Sequence, residues 1–140
     1  MAGGAFTDFS GTYELVSSDG YEKYLESIGV GAATRETLAS DPQTVKITQE
    51  GDHYTLKSTV AAQAVTVQFT LGQEFVGNFG YGDDRQAKGI ARRDGSRIMV
   101  QLQAGDTRAT VVYSIDDEGF DAVFNGPNAV TAKRRFKRQP

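Results

Sequence analysis

At 140 residues, 39% of them hydrophobic, the chain suffices for one domain, 1–140, that buries roughly 70% of the surface its unfolded form exposes. It has no cysteine and hence no disulfide, and no run approaches the ~18 apolar residues of a membrane-spanning helix. Net charge is −3, yet Lys133 to Pro140 carry five positive charges and no acid, so the rest of the chain is more acidic than the total suggests.

Met1 to Asp8 lacks the basic start and long apolar run of a secretory signal. A soluble cytoplasmic protein is the expectation. After a first strand, Tyr21, Tyr24, Leu25 and Ile28 fall at the i, i+3, i+4, i+7 spacing of an amphipathic helix, with Asp19 as its N-cap. Gly29 and Gly31 interrupt it, and Ala32 to Ala39 form a second short helix before Asp41-Pro42.

From there the chain reads as strands. Val45 and Ile47 alternate with Lys46 and Thr48; beyond the Gly51-Asp52 turn, Tyr54 and Leu56 alternate with His53, Thr55 and Lys57. Val65, Val67, Phe69 and Leu71 form the next apolar row, running into Gly72 and a second short run, Gln73-Glu74-Phe75. Ile98, Val100 and Leu102, then Ala109, Val111, Tyr113 and Ile115, repeat the pattern. After the acidic turn Asp116 to Gly119 come Phe120, Ala122 and Phe124. This period of two, with sixteen glycines and three prolines, predicts an all-β architecture: an antiparallel meander of about ten strands, closed on itself to remove exposed edges, with a two-helix lid. The interior of such a barrel is either packed solid or holds one small ligand. The inner rows are read as including small residues at Ala62, Ala64, Ala109, Ala122 and Ala132, which favours a cavity but also serves barrel taper.

The terminal strand adds a charge to this interior. By parity Val130, Ala132, Arg134 and Phe136 share one face, and Thr131, Lys133, Arg135 and Lys137 the other. The apolar set faces inward and carries Arg134 with it. A guanidinium keeps its proton at any ordinary pH, and a buried unpaired charge is very costly. The expected partner is an anion, either an internal Asp or Glu or a ligand carboxylate, for which the planar fork is suited.

Several of these segments together resemble the intracellular lipid-binding proteins, the fatty-acid-binding and retinoid-binding family. Leu71-Gly72-Gln73-Glu74-Phe75 followed by Asp83-Asp84-Arg85 is similar to that family's Leu-Gly-x-Glu-Phe and Asp-Asp-Arg; Gly11 to Ser18 and Gly29 to Arg35 look like its opening strand and helix pair. The resemblance spans roughly Phe9 to Arg138. It implies a ten-stranded antiparallel up-and-down β-barrel (a clam) capped by a helix-turn-helix between the first two strands. It also implies a ligand inside and a head group held near the C-terminus. Arg134-Arg135-Phe136 matches the family's Arg-x-Tyr, with Phe136 lacking the phenol, and the family's second head-group Arg falls on Tyr113. Tyr13 stands for the family's Trp and Ala62 for a bulky portal Phe, which opens the mouth. The loop Val76 to Gly82 is about two residues longer than typical and offers Phe79 and Tyr81 as portal aromatics. Tyr21, Leu25 and Ile28 complete the portal, and Asp83 with Arg85 forms a polar anchor within the barrel or a solvated turn.

Other chemistry finds little support. His53, the one histidine, has no cysteine or second histidine for a usual metal site and no nucleophile to serve. The paired acids sit at turns, where Asp bonds its own backbone, and no phosphate-cradling glycine loop is present. No enzyme, cofactor or nucleic-acid partner is expected. The leading expectation is a monomeric cytoplasmic carrier of a long-chain fatty acid or similar amphipathic carboxylate. The alternatives are a retinoid or bile-acid-like cargo, or a membrane-associating structural lipid-binding protein whose basic terminal strand meets anionic membranes. A secreted carrier with a Gly-x-Trp-like opening at Gly11-Thr12-Tyr13 is disfavoured by the absent signal and cysteines.

Overall fold

A computed structural model describes residues 9–60, 63–77 and 86–139. In chain order the elements are β1 (Gly11–Asp19), α1 (Tyr21–Ser27), α2 (Ala32–Ser40), β2 (Gln43–Glu50), β3 (His53–Val60), β4 (Gln63–Thr70), β5 (Glu74–Gly77), β6 (Ala87–Asp94), β7 (Arg97–Ala104), β8 (Thr107–Ile115), β9 (Gly119–Asn125) and β10 (Thr131–Arg138). The ten strands form one sheet in the order β4-β3-β2-β1-β10-β9-β8-β7-β6-β5. All its ladders are antiparallel, and β1 pairs with both β2 and β10. The sheet curls into a nearly closed barrel with the two helices inserted between the first two strands, which is the architecture expected from the alternation.

Alternation is also what places the core. Tyr13, Val45, Ile47, Tyr54, Phe69, Ile98, Val111, Phe120 and Phe136 point inward and are buried, while their neighbours along each strand face water. The Tyr13 ring meets Phe120 edge-on at 4.8 Å and Phe120 stacks on Phe136 at 4.7 Å; such pairs add to burial. Tyr13 takes the packing place expected for it, its hydroxyl donating to the Phe9 carbonyl at 2.8 Å. One inner-row assignment is corrected. Ala64 is exposed, because it shares the parity of Thr66 and Gln68 rather than that of Val65 and Val67. Ala109, Ala122 and Ala132 are buried as expected, and Ala62 lies outside the described residues.

The lid is held by packing, since a seven-residue helix does not persist alone. Tyr24, Leu25, Ile28, Val30 and Leu38 are all buried against Val60, Ala87, Ala109 and Ala132 at the barrel end. Its N-cap also departs from expectation: Gly20, not Asp19, occupies that position at φ 74, with no side-chain cap bond. The left-handed backbone swings the chain from β1 onto the lid, and a Cβ at Gly20 would come within 2.9 Å of the Thr131 carbonyl oxygen. Asp19 remains in β1, opposite Lys133. At the other end Gly29 N–H donates to Glu26 O and Val30 N–H to Leu25 O, both at 3.0 Å. This is a Schellman closure with the apolar Leu25 and Val30 in one cluster.

Candidate functional site

Inside the barrel lies a cavity of about 150 Å³. Strands from most of the sheet supply its apolar wall, among them Val45, Leu56, Val67, Val100, Val111 and Phe120, and α1 roofs it with Tyr21 and Tyr24. Polar atoms reach it from Gln43, Ser58 and Tyr113 together with the two lid tyrosines. No charged side chain lines it among the described residues. An apolar hollow with a few fixed polar groups is the usual form of a small-ligand site.

Arg134 is 1% exposed, as its parity on β10 requires, but its partners are not the anion expected. Nε donates to Ser18 Oγ at 3.0 Å, Nη2 to the Leu38 carbonyl at 2.9 Å, and Nη1 to Gln43 Oε1. The guanidinium carbon sits 3.8 Å from the centre of the Tyr21 ring. Three dipoles and a π-face thus replace a carboxylate. One of the dipoles is an end carbonyl of α2, which carries the negative pole of that helix. Ser18 gains its place from a β-bulge: the β1–β10 register shifts between Leu15 and Ser17, leaving Val16 exposed and Ser18 opposite Arg134. Burial pushes the Arg134 pKa down, with the Tyr21 phenol acting against it, and none of its three hydrogen-bond acceptors is an anion. Arg134 itself does not line that cavity; Gln43 and Tyr21, which touch it, do.

The other sequence-derived residues divide into three groups. Tyr21, Tyr113 and Phe136 line the cavity. Tyr113 and Phe136 flank Phe120, with ring centres 6.0 and 4.7 Å from it, so the phenol missing at Phe136 has a counterpart across that ring. The Tyr113 hydroxyl makes no hydrogen bond among the described residues. Burial first and the Tyr21 phenol second push its pKa far above the usual range; burial, Tyr21 and then Tyr113 do the same for Tyr24. Tyr24 and Tyr113 are thereby held as neutral hydrogen-bonding groups. Leu25 and Ile28 form the second group: each is 1% exposed and seals the lid onto the barrel without lining the cavity. Ala62, Phe79, Asp83 and Arg85 lie outside the described residues.

Gln43 and Ser58 were not singled out from the sequence, although parity places Gln43 with Val45 and Ile47, and Ser58 with Leu56 and Val60. They meet across β2 and β3, Gln43 Nε2 donating to Ser58 Oγ at 2.6 Å. On the outer surface, Asp116 Oδ1 accepts from the backbone N–H groups of Glu118 and Gly119, the turn role expected of it. Both its oxygens also meet Arg135, at 2.8 and 2.9 Å. Arg135 therefore faces outward, away from the cavity.

The chain matches no profile of a known family, but individual proteins align along nearly its whole length. A fatty acid-binding protein of Tyrophagus putrescentiae is 32% identical over 130 residues, covering 93% of this chain and 97% of the relative. The adipocyte fatty acid-binding protein of Pygoscelis papua is 34% identical over 130 residues, 93% of this chain and 96% of its own. The chain belongs to the fatty acid-binding protein family. A solved structure agrees: the fatty acid-binding protein from brain tissue of Drosophila melanogaster superposes with a TM-score of 0.82 at 32% identity, over 92% of this chain and 98% of that one. Within this family frame, the barrel with its helical lid is the shared scaffold.

Proposed function

We propose that this protein is a non-enzymatic cytoplasmic carrier that encloses one long-chain fatty acid, or a closely related amphipathic carboxylate, in the barrel. One observation carries the reading: the apolar cavity ends beside a buried cation whose three hydrogen-bond acceptors are all neutral. Chain burial contributes at roughly 25 cal/mol per Å² of apolar area, and the field of Arg134 favours a negative head at that end. Tyr21 and Tyr24 roof the cavity, and a shift of α1 gives the cargo a route of release. The names of the relatives support the same cargo class. Displacement of a fluorescent fatty-acid probe from the delipidated protein tests the reading. Oleate competes at micromolar or lower concentration if it is right, and failure of all long-chain acids to compete at that level refutes it.

A further inference from the structure

Arg134 has donors and no acceptor, so the Gln43 atom that faces it must be the amide oxygen. That contact fixes the whole amide. With Oε1 on the guanidinium, Nε2 is turned toward Ser58 Oγ at 2.6 Å. Ser58 accepts this bond, which leaves its own hydroxyl proton without an acceptor among the described residues. The second Nε2 hydrogen of Gln43 is likewise uncommitted. Both residues line the cavity and Arg134 does not. The cation is thereby converted, through one oriented amide, into a pair of neutral donors at the cavity wall. A head group could touch the guanidinium directly only by displacing Gln43, or by lifting the Tyr21 ring from its 3.8 Å stack.

We infer that Gln43 and Ser58 are the direct head-group contacts, with Arg134 a positioning residue behind them, and that the cargo class is therefore acyl lipids presenting a carbonyl oxygen, ionised or neutral. This rests on the carrier reading above and narrows it. A neutral donor still gains a charge-assisted bond from a carboxylate, but it lacks the Coulomb attraction of a cation, so it discriminates less between a carboxylate and an uncharged carbonyl than a direct ion pair does. A primary fatty amide has nearly the shape of the acid and is the discriminating probe.

The test measures oleate and oleamide by displacement of the same fluorescent probe, on the wild type, Ser58→Ala and Ser58→Thr. The expected result is an oleate-to-oleamide affinity ratio below tenfold. Ser58→Ala weakens both ligands by about three- to tenfold, and Ser58→Thr, which restores the hydroxyl, recovers both. Ser58→Ala removes a single oxygen, so a thermal melt near that of the wild type separates lost contact from lost fold. Two results each overturn the inference: a ratio of tenfold or more in favour of oleate, or unchanged affinity in Ser58→Ala. Either one with tight oleate binding leaves the carrier reading standing: the high ratio puts Arg134 in direct contact, and the unchanged affinity moves the head group off Ser58. Absence of binding by both ligands removes the carrier reading and this inference with it.

Discussion

Replacing Val111 with Phe fills the cavity from its own wall. Val111 is 5% exposed, lies opposite Phe124 on β9 and Val100 on β7, and lines the hollow. Phe carries four more carbons than Val, and these occupy space that about four methylenes of an acyl chain would otherwise fill. At about 0.8 kcal/mol per buried methylene, binding loses roughly 3 kcal/mol, about a hundredfold in affinity. Stability changes much less. Insertion into a tight core costs about 1–3 kcal/mol, but filling an existing void returns about 0.5–2 kcal/mol, so the net stays within about 1 kcal/mol. Probe displacement by oleate gives the first quantity and urea unfolding the second. Val112→Phe is the control, because Val112 faces outward between Met99 and Val123 and leaves oleate affinity unchanged. Wild-type affinity in a folded Val111→Phe protein, or an equal loss in both variants, would refute the cavity as the binding site.

Leu25→Ala removes the side chain that locks α1 onto the barrel at 1% exposure. Thermal or urea unfolding should show a loss of about 2–5 kcal/mol, and a loss below about 1 kcal/mol would mean the lid is not integral to the fold. Asp116 has its pKa lowered, first by the Arg135 hydrogen bond. Its contribution is present above its ordinary value of 3.8 and fades as pH falls below that point. Asp116→Asn therefore destabilises the protein at neutral pH, and the gap to the wild type closes in acid; a pH-independent gap would contradict the pairing. Tyr24 and Tyr113 have raised pKa values, so their neutral forms stabilise the fold fully below the ordinary phenol value of 10.0 and the benefit is lost as pH climbs through their folded values. In an ultraviolet titration of the six tyrosines, these two ionise only near alkaline unfolding, and complete titration near pH 10 in the folded state would contradict their burial.

The strand architecture was legible because the inner and outer rows differ in chemistry, residue by residue. On β10, Ala132, Arg134 and Phe136 are buried and Lys133 and Lys137 exposed, as the period of two dictates. Parity gives a face but not a partner. The alternation puts Arg134 inside, yet its acceptors are 91 to 116 residues away in sequence and include a backbone carbonyl, which has no signature in side-chain pattern. The bulge that shifts Ser18 toward Arg134 is equally silent, since it inserts one residue without changing composition. Gly20 replaced Asp19 as the helix cap because the chain reversal demands a positive φ, a constraint that outranks side-chain capping preference. Gln43 and Ser58 could have been found by extending the rows of Val45 and Leu56 toward the lid. There a polar residue at an inward position is the signal that a site, rather than core, begins.

The central claim is that one acyl chain is sequestered inside the barrel. Calorimetric titration of delipidated protein with oleate at several temperatures tests it most directly, because burial of the chain from water gives a negative heat-capacity change. Saturation at one oleate per chain with a clearly negative heat-capacity change is the expected result, both abolished or strongly weakened in Val111→Phe. Uptake without saturation, or binding that shows no heat-capacity change and ignores Val111→Phe, would contradict it.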